Sequence, residues 1–80
     1  MDRRMMFAQL KPVQIVKIKM GKQLFFPKRN SLDRIYQLIN KNRLAKYIEI
    51  ISGNIYIEIK DLWQSSITKE EVELLKLLEE

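Results

Sequence analysis

Two segments of the chain alternate apolar and charged side chains with a period of two. Two others repeat apolar side chains every three or four positions. The chain therefore reads as two hairpins, each followed by a helix. In the first segment Val16 and Ile18 alternate with Lys17 and Lys19, and residues 24–26 follow a turn at Met20-Gly21-Lys22, so residues 12–27 are expected to form a β-hairpin. A three-residue loop would set Ile18 opposite Leu24 and Val16 opposite Phe26, gathering the apolar side chains on one face. A two-residue Gly21-Lys22 turn would mix the faces, so the first register is the expected one. Pro27 closes the hairpin because it has no amide to donate to a ladder. Ser31 then suits the N-cap of a helix whose Leu32, Ile35, Leu38 and Ile39 share a stripe, with Asp33 in the first turn where the helix dipole favours it. Asn40-Lys41-Asn42 weakens that pattern and places the helix end between residues 41 and 45.

In the second hairpin, residues 47–51 and 55–59 flank Ser52-Gly53-Asn54. A two-residue type II′ turn at Gly53-Asn54 pairs Ile50 with Ile57 and Ile48 with Ile59. It also sets Glu49 against Glu58, a like-charge pair that needs cations nearby, for which Lys17 and Lys19 are the available source if the hairpins share a sheet. The last helix has a full start signal. Thr68 and Glu71 form a capping box, and Ile67 and Val72 the hydrophobic staple around it. Glu79 and Glu80 sit at the wrong end for the dipole, so the last turn is expected to fray. Trp63 is expected to plug the space between sheet and helix, or else to be an interface hot spot. The order is ββαββα, with turn glycines Gly21 and Gly53 at matching places in the two units. The expected fold class is α+β, a four-stranded, mostly antiparallel sheet with two helices on one face. Eighty residues form one domain, in which residues 1–11 suit an arm, a strand extension or a short helix.

Charge changes this picture more than composition does. Residues 1–46 hold twelve Lys and Arg against Asp2 and Asp33, whereas residues 47–80 hold three lysines against eight acids. The net +5 thus hides a basic front and an acidic back, a distribution that points to a polyanionic partner. The chain has no Cys and no His, which removes disulfides and the usual structural zinc ligands. No stretch approaches the ~20 apolar residues of a membrane span, and the start lacks the apolar run of a secretory signal. A cytoplasmic location is expected, without cofactor, metal or membrane. A chain this small is marginally stable alone, which leaves oligomerisation as the available support.

Four groups of residues could carry function. Lys28, Arg29, Ser31 and Arg34 surround a helix start, where free amides and the dipole already attract a phosphate; the plain alternative is a capped helix with solvated cations. Lys17, Lys19, Lys22 and Gln23 share a hairpin face with Phe25 in the preferred register, a pattern suited to single-stranded nucleic acid or to an ordinary wet strand. Arg34, Gln37 and Lys41, with Asn30 as a further candidate, line a polar helix side that could read base edges, although the short helices of a helix-turn-helix are missing. Arg3 and Arg4 could enter a minor groove as an arm, or simply solubilise the terminus. Met5, Met6 and Phe7 add an apolar strip that could dock on the core or on a partner.

Leu74, Leu75, Leu77 and Leu78 exceed what one face of a short helix can bury, so part of that surface is expected to form a homodimer interface. Glu49 and Glu58 are the one carboxylate pair in view and sit on a flat sheet, and no phosphate loop or dinucleotide glycine pattern occurs. An enzyme is not expected. The expected function is a small regulatory or accessory protein that binds DNA or RNA through its basic two-thirds, as a dimer. The alternative is a protein–protein module, such as an inhibitor or adaptor, docking on an acidic partner or adding its hairpin edge to a partner's sheet.

Overall fold

A computed structural model describes residues 15–64 and 67–80. The expectations for residues 1–14, including the arm arginines Arg3 and Arg4 and the Met5-Met6-Phe7 strip, lie outside the described residues. Strands β1 (Ile15–Met20) and β2 (Gln23–Phe25) form the first hairpin, followed by a 3₁₀ turn (Arg29–Ser31) that runs into helix α1 (Leu32–Lys41). Strands β3 (Ala45–Ile51) and β4 (Asn54–Ile59) form the second, followed by a 3₁₀ turn (Leu62–Gln64) and helix α2 (Lys69–Glu79). The four strands make one mixed sheet in the order β2-β1-β4-β3. Both hairpins are antiparallel, and the central β1–β4 pair is parallel. The first hairpin thus places its leading strand at the centre and the second its trailing strand, so the sequence similarity of the two ββα units is not a structural two-fold.

Both helices lie on one face of the sheet. Val16, Ile18, Met20, Ile57 and Ile59 meet Ile35, Leu38, Ile39, Leu74, Leu75 and Leu78 in one buried cluster. That cluster includes three of the four leucines expected at a dimer interface. Leu74, Leu75 and Leu78 are buried within a single chain and Leu77 is half-buried against the same core, so the helix has little apolar surface left to offer a second copy. Trp63 is not the plug between sheet and helix. Asp61 Oδ1 accepts the Trp63 amide at 3.0 Å, starting a 3₁₀ turn that sends Leu62 inward and leaves Trp63 57% exposed.

Turn chemistry moved both registers from those expected. The first hairpin turns on two residues, Gly21 and Lys22, pairing Ile18 with Phe25 and Lys19 with Leu24. Gly21 supplies the positive φ of 61° that the first position of such a turn requires, and its missing side chain leaves room for the Asp61 carboxylate. Phe25 therefore packs on the core side, and Leu24 takes the place expected for it beside the lysines. The second hairpin turns on Ser52-Gly53, both with positive φ (51° and 82°), the pattern of a type I′ turn. Ile48 now faces Ile57, and Ile50 faces Ile55. A shift of two residues keeps every side chain on its expected face. It also moves Glu49 away from Glu58 to lie opposite Tyr56, which removes the like-charge opposition.

The helix ends are set locally. In α2 the capping box forms as expected: Thr68 Oγ1 accepts the Glu71 amide at 3.1 Å, and Glu71 Oε1 accepts the Thr68 amide at 2.8 Å. Ser31 does not cap α1 with its side chain. The helical run has already begun after Lys28, whose carbonyl accepts the Ser31 amide at 3.0 Å, so Ser31 lies inside it with helical dihedrals. At the other end Arg43 adopts φ 53°, and the Leu44 amide reaches back to the Ile39 carbonyl at 2.9 Å. This is a Schellman stop in which Leu44 and Ile39 are both buried.

Candidate nucleic-acid interface

The sheet face opposite the helices is uncovered, and the pairings place its side chains in rows. Leu24, Lys19, Glu58 and Tyr47 cross the four strands in one row; Lys17, Tyr56 and Glu49 form the next; Ile15, Asn54 and Ile51 form the third. The Lys17 ammonium lies over the Tyr56 ring, 5.3 Å from its centroid, and Tyr56 meets Tyr47 edge-on at 6.0 Å. A hydrogen bond from the Tyr47 hydroxyl to Glu49 raises the phenol pKa above its ordinary value. Glu58 has Lys19 as its pairing neighbour and the Lys46 ammonium at 3.8 Å. Among the described residues, Lys19 and Lys22 have no ion-pair partner.

Two shallow depressions run across this face. One, of about 630 Å³, is lined by Lys17, Lys19, Lys22, Leu24, Glu49 and Tyr56. The other, of about 550 Å³, shares Lys17, Glu49 and Tyr56 and continues to Ile15, Phe26 and Ile51. Together they make a groove that is basic at one end and apolar at the other. Phe26 is 63% exposed there. Sequence reasoning missed this ring, although the rejected two-residue turn carried the signal, since it puts Phe26 on the Lys17 face.

The basic residues of the helical side have a different fate. Arg34 makes a bidentate pair with Glu73, Nε and Nη2 each donating at 2.7 Å, and Nη1 donates to Gln37 at 3.2 Å. Lys41 donates to Glu70 at 2.8 Å. These hydrogen bonds hold the Glu70 and Glu73 carboxyls below their ordinary pKa and the Arg34 guanidinium above its own. The acidic back of the chain thus neutralises the cations of α1 by joining the two helices. Of the phosphate cradle expected at Lys28, Arg29, Ser31 and Arg34, Lys28 and Arg29 are exposed, Ser31 is buried, and Arg34 is turned to Glu73. The polar helix side of Arg34, Gln37 and Lys41 is likewise committed to contacts within the chain.

Among the described residues no helix is long and apolar enough to cross a membrane, and no group of three or more acidic, His or Cys side chains is placed to hold a metal. Compared with known proteins, the chain matches no family, no curated protein and no solved structure.

Proposed function

We propose that this is a small nucleic-acid-binding accessory protein that lays a single strand across the open face of its sheet. Lys17, Lys19 and Lys22 take the phosphates, and the exposed Phe26 ring gives a base a flat surface to stack on. The observation that carries the reading is the groove itself, in which unneutralised lysines and the exposed Phe26 ring share the one face that the helices leave bare. A strand suits this shape better than a duplex, because a shallow sheet face offers a ring and spaced cations but no element that projects into a groove. A second reading, a protein-interaction module, is supported by one feature, the exposed edge strand β3.

The test is titration into labelled single-stranded RNA, single-stranded DNA and duplex DNA at two salt concentrations. Single strands are expected to bind more tightly than duplex and to weaken steeply with salt. Replacing Lys17, Lys19 and Lys22 with Ala is expected to flatten the log–log salt slope by about 2, since each single-strand phosphate contact contributes roughly 0.7. Phe26→Ala is expected to weaken binding by about 1–3 kcal/mol per stacked base without changing that slope. Absence of binding to all three nucleic acids at low salt would overturn the proposal and favour the protein-interaction reading.

A further inference from the structure

Strand β3 has the side chains of a central strand at the edge of the sheet. All seven of its residues are exposed. Ile48 and Ile50 point to the helix side, yet neither helix reaches over them, and they are 56% and 61% exposed. On the opposite face Tyr47 and Ile51 are 49% and 59% exposed. Apolar side chains on both faces are the mark of a strand flanked by neighbours, whereas protected edges are short, charged or capped by proline. The opposite edge, β2, follows that rule with three residues. Strand β3 carries one bulge, at Lys46, and is otherwise an open ladder of seven residues.

We propose that β3 pairs with β3 of a second copy, antiparallel about a two-fold axis, to make a continuous eight-stranded sheet. The strand is self-complementary in that arrangement. With the axis normal to the sheet at Ile48, Ile48 meets itself and Tyr47 of each copy lies opposite Glu49 of the other, so that each carboxylate faces an aromatic ring across the seam and no second acid. Moving the axis one residue to Glu49 would oppose two carboxylates, so the sequence selects the first register. Charge also favours this edge. A chain of net +5 repels its own copies, but β3 holds one cation, Lys46, which lies 3.8 Å from Glu58, and one acid, Glu49. The unneutralised lysines of the sheet lie on β1 and in its turn, away from the seam. On the helix side, Ile48 and Ile50 of both copies fill the trough between the two helix pairs. One strand pair and four isoleucines make a smaller contact than the ~800 Å² per partner of a standard interface, so the dimer is weak.

The inference stands whether or not the groove binds nucleic acid, because it is read as mass with no ligand present. Sedimentation equilibrium of the full chain, from about 1 µM to about 1 mM, is expected to show a shift from 9.6 kDa towards twice that value. Ile48→Lys, which opposes two ammonium groups at the axis, is expected to remain monomeric at least 10-fold beyond the wild-type midpoint. Ile50→Lys should do the same, and both should keep the wild-type thermal midpoint at monomeric concentrations, since both side chains are already exposed. Leu24→Lys, on the β2 edge, is the control and should leave the dimer intact. A wild-type chain that is monomeric throughout would overturn the proposal and leave β3 for a strand of another protein. It would be overturned equally by a dimer that survives both Ile substitutions, or by mass that climbs beyond two copies.

Discussion

Tyr47-Ile48-Glu49-Ile50 and Tyr56-Ile57-Glu58-Ile59 are the same four residues in the same order, on the two strands of one hairpin. In β4 the isoleucines are 4% and 1% exposed, and in β3 they are 56% and 61% exposed. Propensity, pattern and face are identical, so none of them produces the difference. Position in the sheet does. Strand β4 pairs with β1 and lies beneath both helices, while β3 hangs one strand beyond the cover. Burial is thus a property of the neighbourhood that a segment reaches, and an identical segment one strand away can be core or exposed surface.

Substitution offers the most direct way to break that comparison. Ile59→Ala is expected to cost about 3 kcal/mol of stability by denaturant unfolding, from lost burial and the cavity left behind. Ile50→Ala should change it by less than about 0.5 kcal/mol at concentrations where the chain is monomeric. Equal losses would mean that the helices cover both strands.

The hand-over from α1 to β3 offers a sharper probe of why the cover stops where it does. Arg43 holds a left-handed conformation that glycine adopts without strain, so Arg43→Gly should raise stability by about 1 kcal/mol. A loss would mean that the Arg43 side chain contributes more than its backbone costs. On α1 itself, burial raises the Tyr36 pKa, with Asp33 adding to it, and the hydroxyl has no hydrogen-bond partner among the described residues. Tyr36→Phe is therefore expected to be neutral or to stabilise by up to about 1 kcal/mol.

The smallest expected effect is on pH dependence. Glu70 and Glu73 have folded-state pKa values below the ordinary 4.5, first because Lys41 and Arg34 hydrogen-bond their carboxylates. A depressed folded pKa means that their contribution is present above the unfolded value and lost as pH falls through the folded one. Thermal midpoints should therefore drop more for the wild type than for Glu70→Gln/Glu73→Gln as pH falls below about 4.5. Because both pairs are solvent-exposed, the difference should shrink in high salt.

Much of this fold is legible in the residues because its causes are local. The capping box needs residues three apart, and the alternation that puts Lys17 and Lys19 on one face needs only the strand period. Both hold. Legibility fails where two turns compete for the same residues. Gly21-Lys22 prevails over the longer loop in a turn where the Asp61 carboxylate occupies the space beside Gly21. Ser52-Gly53 prevails over Gly53-Asn54 in the register that keeps Glu49 off Glu58. The site shows the same division: the lysines were legible, but Phe26 appears on their face only once the register is known.

The chain by itself determined its ββαββα order, its helix starts and stops to within a turn, and the two faces of β1, β3 and β4, because these follow from spacing between near neighbours; the faces of β2 came out reversed with the shorter turn. Tertiary structure decided which strands became central and which cations were consumed. Arg34 and Lys41 meet Glu73 and Glu70, 39 and 29 residues away. It also moved the exposed apolar surface from the α2 leucines to β3. Those outcomes depend on which elements end as neighbours, and the parallel pairing of β1 with β4 set that by leaving β3 outside the cover of the helices.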